Sequence, residues 1–148
     1  MYTVARELHY LAFLEEPPRD MTIAYVKRNI AENWPHVIAL DGDKVIAWAD
    51  VAPLNRPVFE HAGVLGIGII PGYRGQGLGR KLVHTVLDAA KKRGLSRVEL
   101  TVRESNLIAI KLYENFGFFH EDRHINTVKI NGEYENHLSM ALFIPENA

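Results

Sequence analysis

Apolar positions recur along the chain at two different periods, and the points where one period gives way to the other mark its elements. Residues 4–14 carry Leu8, Leu11 and Phe13 among polar side chains, a pattern that predicts a short helix running up to the breaker pair Pro17-Pro18. Beyond Asp20, a candidate N-cap, Ile23, Val26, Lys27 and Ile30 fall three and four residues apart and predict a second helix over 21–30. Two short apolar runs, His36 to Leu40 and Lys44 to Val51, flank Asp41-Gly42-Asp43, a turn sequence that joins antiparallel strands. A further strand, Val64 to Ile70, is nearly all apolar and punctuated by glycine. The period then turns helical, with Leu78, Leu82, Val83, Val86, Leu87 and Ala90 on one side. Lys91, Lys92 and Arg93 place positive charge on the carboxyl end of this helix, and Gly94 stands where a left-handed residue ends it.

Arg97 to Val102 alternates again, so strand, helix and strand form a βαβ unit whose two strands run parallel through a right-handed crossover. A shorter helix follows over 106–116, closed by Gly117. Thr127 to Ile130 and Tyr134 to Phe143 then flank Asn131-Gly132, a strong short-range hairpin signal. The expected class is α/β (α+β): a mixed, twisted sheet flanked by helices, with a central βαβ unit and a C-terminal β-hairpin.

Composition narrows what such a fold can do. At 148 residues the chain has the size of one domain, and a single domain over 1–148 is expected. No apolar run approaches a membrane span, and a net charge of -1 without a long basic run gives no electrostatic attraction to nucleic acid or an anionic membrane. The expected partners are small molecules, with a homodimer left open, and the expected location is the cytoplasm. The absence of cysteine excludes a disulfide framework, thiolate metal sites and a cysteine nucleophile. Seven histidines lie scattered without ligand spacing, so no metal is expected.

Chemistry concentrates in the loop Pro71-Gly72-Tyr73-Arg74-Gly75-Gln76-Gly77-Leu78-Gly79, between a strand and an amphipathic helix. Free amide groups and the positive dipole end favour an anion there, each anionic group gaining about 0.3–1 kcal/mol. A P-loop requires lysine where Leu78 stands, and the dinucleotide fingerprint requires G-x-G-x-x-G where this loop has G-x-G-x-G. The bland reading is a glycine-rich turn that only reverses the chain.

Arg74-Gly75-Gln76-Gly77-Leu78-Gly79 resembles the [QR]-x-x-G-x-[GA] signature of the GNAT N-acetyltransferases. A second block, Asn106, Ala109, Tyr113, Gly117 and Phe118, resembles that family's N-x-x-A-x-x-x-Y-x-x-x-G-F. The similarity covers 36–148, and Glu99 to Met140 resembles the branch of YhhY-like amino-acid N-acetyltransferases. One departure is that the chain begins near the family's first helix, so the usual first strand is expected to be missing. The resemblance implies acetyl-CoA as cosubstrate and direct transfer to a primary amine in a ternary complex. The absence of cysteine agrees with a direct route.

The resemblance also implies roles. Ile67, Gly68 and Ile69 would bond the pantetheine arm through their main chain, and Arg74, Gly75, Gln76, Gly77, Leu78, Gly79 and Arg80 would hold the pyrophosphate. Asn106 would bond the coenzyme's amide arm or, as its local alternative, cap the helix in competition with Ser105. Tyr113, a core residue by its apolar helix face alone, would contact the coenzyme and protonate the departing thiolate. Residues 10–18 resemble the loop that shapes the acceptor pocket. There Phe13 and Glu15 would contact substrate, Glu15 and Glu16 attracting a cation, with Tyr134 facing the same pocket from the hairpin. Trp34, Trp48 and Phe59 read as core or pocket wall. Neutralising an alkylamine of pKa ~10.4 at pH 7 costs about 4.6 kcal/mol, against about 1–1.4 for an α-amine, so a base matters more for the former. His61, Glu60 or water would serve. A non-catalytic acyl-CoA-binding or regulatory domain is the alternative reading.

Overall fold

A computed structural model describes residues 18–54 and 56–146. The helix expected over 4–14, together with Phe13, Glu15 and Glu16, lies outside the described residues. The elements are α1 (Arg19–Ala31), β1 (His36–Asp41), β2 (Lys44–Pro53), a 3-10 turn (Pro57–Phe59), β3 (Ala62–Ile69), α2 (Leu78–Lys92), β4 (Arg97–Arg103), α3 (Leu107–Asn115), β5 (Phe119–Ile130) and β6 (Glu133–Phe143). The strands form a six-stranded sheet in the order β1-β2-β3-β4-β6-β5. Only β3 and β4 pair in parallel, as the βαβ reading requires.

One sheet face carries the core. Ala47, Ala49 and Val51 of β2 and Val98, Leu100 and Val102 of β4 alternate inward and meet Leu82, Val83, Val86 and Ala90 of α2. Each such fully buried branched side chain contributes about 1.5–3 kcal/mol of transfer free energy. α3 adds Ile110 and Tyr113 to the same side. No helix among the described residues is long and apolar enough to cross a membrane.

The turns follow their local chemistry. Asn131 and Gly132, at φ 51° and 81°, make the two-residue turn between β5 and β6, and Gly94 and Gly117, at φ 90° and 93°, stop α2 and α3. β5 begins at Phe119, eight residues before the expected start at Thr127. It is an edge strand, its segment Phe119–Arg123 is exposed on both faces, and its register shifts between His120 and Asp122 and between His124 and Val128, so no alternation of apolar residues marks it.

The first described helix differs from expectation in two ways. Pro18, not Asp20, stands at the N-cap; proline's fixed φ sets the entry, and Asp20 moves into the first turn, where its charge faces the helix dipole. The apolar positions Ile23, Val26 and Ile30 are exposed, and the residue this helix buries is Asn29. The sheet beneath it presents polar partners: Tyr25 Oη donates to Asp50 Oδ1 at 2.8 Å, and Asn29 Nδ2 meets His36 Nδ1 at 3.3 Å.

Gly63 sits where the core leaves no room for a side chain. A Cβ there would come within 2.5 Å of Val51 Cγ1 and 3.1 Å of Leu95 Cδ1. Gly63→Ala is therefore expected to cost about 1–3 kcal/mol through overpacking, read as a fall in Tm of roughly 2–4 °C per kcal/mol. An unchanged melting curve would show that Val51 and Leu95 yield freely.

Candidate functional site

β3 and β4 are hydrogen-bonded only over Ala62↔Arg97, Gly63↔Val98 and Val64↔Glu99. Past this point the strands part, and the main-chain groups that Leu65–Ile69 turn toward β4 have no partner in the sheet. Buried backbone groups are nearly always paired, so an open V of this kind suits a ligand that supplies amide-like donors and acceptors. Ile67, Gly68 and Ile69 all lie in the parted stretch.

The glycine loop sits at the open end of the V. Gly72, Gly75 and Gly77 adopt φ of 88°, 75° and 77°, the left-handed region that a side chain disfavours. This winding carries the chain into α2 with its first amides facing outward. From Gly75 to Arg80 no backbone N–H has an acceptor among the described residues, while Lys81 N already bonds Gly77 O at 3.3 Å. Six consecutive donors at the positive end of a 15-residue helix form an anion-binding concavity. The loop is tied on both flanks. Arg74 Nε donates to Ile69 O at 2.9 Å, and Tyr73 Oη donates to Asp41 Oδ2 at 2.6 Å, linking it to the β1–β2 turn. Gln76 Nε2 bonds Gly72 O at 3.2 Å across the loop itself.

Gly79 plays a different part from the other glycines. Its φ is ordinary, but a Cβ there would lie 3.3 Å from Leu112 Cδ2 and 3.5 Å from Ile69 Cδ1. The missing side chain lets α3 close on the first turn of α2, bringing the helix of Tyr113 beside the loop. Tyr113 is 6% exposed, its ring tilted at 58° against Phe118 with 5.7 Å between centroids. Burial pushes its phenol up to about 12, and the hydroxyl bonds no described residue. The group is a proton donor held in reserve at neutral pH.

Asn106 caps α3, its Oδ1 accepting from Ala109 N at 3.2 Å. Ser105 is engaged elsewhere, its amide and hydroxyl both donating to Glu135 Oε1. The cap uses only the oxygen, and Asn106 Nδ2 has no acceptor among the described residues. Tyr134 is 59% exposed on β6 at the base of the hairpin turn, past the point where β6 stops pairing with β4. It therefore lies toward the open end of the V, with Lys129 Nζ 5.0 Å from its ring centroid. Glu60 and His61 stand at the other end, exposed and just before β3, where His61 O accepts from Ser96 N and Arg97 N. From His61 to Val64, the last paired residue, is roughly 10 Å along a strand. Among the described residues no group of three or more His, Asp or Glu is placed to hold a metal.

The residues sequence reasoning missed lie on the opposite sheet face: Tyr25, Asn29 and Asp50. The available signal was a carboxylate, Asp50, inside the otherwise apolar run Val45 to Val51.

A mixed sheet parted at its parallel pair, with a helix N-terminus of unclaimed amides at the opening, is an arrangement that suits an extended ligand carrying phosphate. A family model described as "Acetyltransferase (GNAT) family" matches residues 2–118, and the chain belongs to that family. The [ribosomal protein bS18]-alanine N-acetyltransferase of Escherichia coli K12 is 42% identical over 65 residues, and the chain spans 44% of that relative's length, the match covering 44% of this chain. The crystal structure of the ribosomal-protein-S18-alanine N-acetyltransferase from Escherichia coli superposes with a TM-score of 0.75 at 30% identity, covering 99% of this chain and 87% of that one. A GNAT superfamily phosphinothricin acetyltransferase from Sinorhizobium meliloti, solved in complex with acetyl-CoA, shares the fold at a TM-score of 0.85 and 19% identity, covering 90% of this chain and 74% of that one.

The loop's role is tested with a pair of substitutions at Gly77. Asn and Asp both tolerate the left-handed region and meet nothing within 4 Å there, so they differ mainly in charge. Gly77→Asp is expected to weaken acetyl-CoA binding at least about tenfold more than Gly77→Asn, by titration calorimetry, with similar Tm for the two. Equal affinities would remove the helix end from phosphate recognition.

Proposed function

We propose that this chain, as one domain over 1–148 working in the cytoplasm, transfers the acetyl group of acetyl-CoA directly to an amine. The observation that carries the reading is the row of unclaimed amides from Gly75 to Arg80 beside the parted strands. The residues fit such a cosubstrate: those amides and Arg80 would meet its phosphates, the main chain of Ile67–Ile69 its amide arm, and Asn106 Nδ2 that arm from the other side. Acetyl-CoA supplies an activated acyl group on a thiol leaving group. The relatives' names, N-acetyltransferases acting on the alanine of a ribosomal protein, support an amine acceptor.

Tyr113 supplies the proton. Its pKa, pushed up to about 12, keeps it protonated, and Phe118 fixes the ring. A departing thiolate of pKa ~8.5 is a weaker base than this phenolate, so transfer from Tyr113 runs uphill and is driven by trapping of the acetyl group on nitrogen. Glu60 and His61 reach the acceptor's proton only through water, given their place before the paired stretch. An α-amine, which costs about 1–1.4 kcal/mol to neutralise at pH 7, suits such a distant base.

Tyr113→Phe keeps the packing and removes the donor. Single-turnover acetylation is expected to slow roughly 10²-fold with acetyl-CoA affinity little changed. A full single-turnover rate would take Tyr113 out of the mechanism. Steady-state lines at varied acetyl-CoA and amine are expected to intersect; parallel lines with an isolable acetyl-enzyme would replace direct transfer by a covalent route.

A further inference from the structure

The sheet face opposite the core holds a cavity of about 570 Å³ between α1 and the β1–β2 edge, within the size range of small-ligand pockets. Its walls are largely apolar: Val26 and Ile30 of α1, Ile38 and Val45 of the edge hairpin, and both of the chain's tryptophans, Trp34 and Trp48. Its floor is polar. Asp50 is 6% exposed and hydrogen-bonded to Tyr25, and burial raises its carboxyl above the usual range. Asn29 is 1% exposed, and its Oδ1 has no hydrogen-bond partner among the described residues. A buried carbonyl oxygen without a donor costs about 1–3 kcal/mol. A floor of carboxylate, carbonyl and phenol oxygens beneath aromatic walls suits a ligand rich in N–H donors and positive in charge.

Position ties this cavity to the cleft. On β3, Gly66 pairs with Asp50 and Gly68 with Trp48. Both glycines leave room above the sheet: a Cβ at Gly68 would fall 1.9 Å from Trp48 Cη2, and one at Gly66 would lie 3.4 Å from Asp50 Oδ1. The Asp50 carboxylate thus rests over β3 two residues past Val64, where the V begins, and one strand spacing of about 4.8 Å from its wall.

We propose that this cavity receives the acceptor: a primary ammonium on an apolar or aromatic body, its N–H groups bonding Asp50 and its body lying between Trp48 and the edge hairpin. The assignment of this ligand as acceptor rests on the acetyltransferase reading, whereas its binding does not. Asp50 is then a specificity-determining residue that brings the amine to the apex of the V.

Because both tryptophans line the cavity, intrinsic fluorescence reports its occupancy without any turnover. The probe is 2-phenylethylamine, with 2-phenylethanol as uncharged control and phenylalanyl-glycinamide as an amine at the head of a peptide. A saturable change with the amine, absent with the alcohol, is expected. Asp50→Asn, which keeps an acceptor for Tyr25, should weaken it at least about tenfold while Tm and acetyl-CoA affinity hold. Val45→Lys, at an exposed position on the rim, should weaken it through like charge without touching the fold. Tighter binding of the free amine or of the peptide amide names the source of the ammonium. An equal response to the alcohol, undiminished binding in Asp50→Asn, or no response to either amine up to about 10 mM would overturn the proposal. Binding without acetylation would leave the cavity standing as an ammonium site and overturn its assignment as the acceptor site.

Discussion

Everything at the site depends on two parallel strands that stay bonded for three residue pairs and then part. In a continuous sheet each strand satisfies its neighbour's amides, and a gap leaves main-chain donors and acceptors exposed inside the protein. The gap is bearable because each strand keeps its outer partner, β2 for β3 and β6 for β4, throughout the parted stretch. The opening is also tied at its base. Ser96 N and Arg97 N both bond His61 O, and the Arg97 guanidinium bridges Glu99 and Glu121, its hydrogen bonds drawing the Glu121 carboxylate of β5 below its usual range. The V is therefore a fixed feature of the sheet and not a frayed edge.

The two helices that follow the parted strands convert this gap into a site. Each begins at the open end, α2 through left-handed glycines that leave its first amides unclaimed, α3 through the Asn106 cap. Gly79 permits their close approach, which sets α3, the helix of the buried Tyr113, against the first turn of α2. The same economy of side chains appears on the other face, where Gly66 and Gly68 leave β3 bare under Asp50 and Trp48. Glycine in this stretch serves space rather than flexibility, since neither residue has a positive φ.

The two faces of the sheet differ in how they are held. The α2 face is an apolar core that any volume change disturbs. The α1 face is held by a part-buried hydrogen bond from Tyr25 to a carboxylate, with an amide oxygen left unmatched among the described residues, an arrangement that is costly unless a ligand or solvent completes it. The first face is the apolar core; the second keeps polar groups at the floor of a cavity.

Much of this was legible in the chain itself. Periods of two and of three to four placed β1 to β4, α2, α3 and the final hairpin, because one buried face dictates each pattern; glycine after Lys91-Lys92-Arg93 and the Asn131-Gly132 pair fixed ends and turns through local backbone sterics. The glycine loop was legible because left-handed φ demands that residue. The length of β5 was not, since an edge strand exposed on both faces owes nothing to alternation. Nor was the face of α1: Ile23, Val26 and Ile30 predict burial by spacing, and only the sheet beneath, with Asp50 and His36, decides that Tyr25 and Asn29 turn inward. The parting of β3 from β4, the distance of His61 from the opening and the meeting of Gly79 with Leu112 are likewise tertiary facts. They depend on which residues distant in sequence come opposite one another, and no local period carries that information.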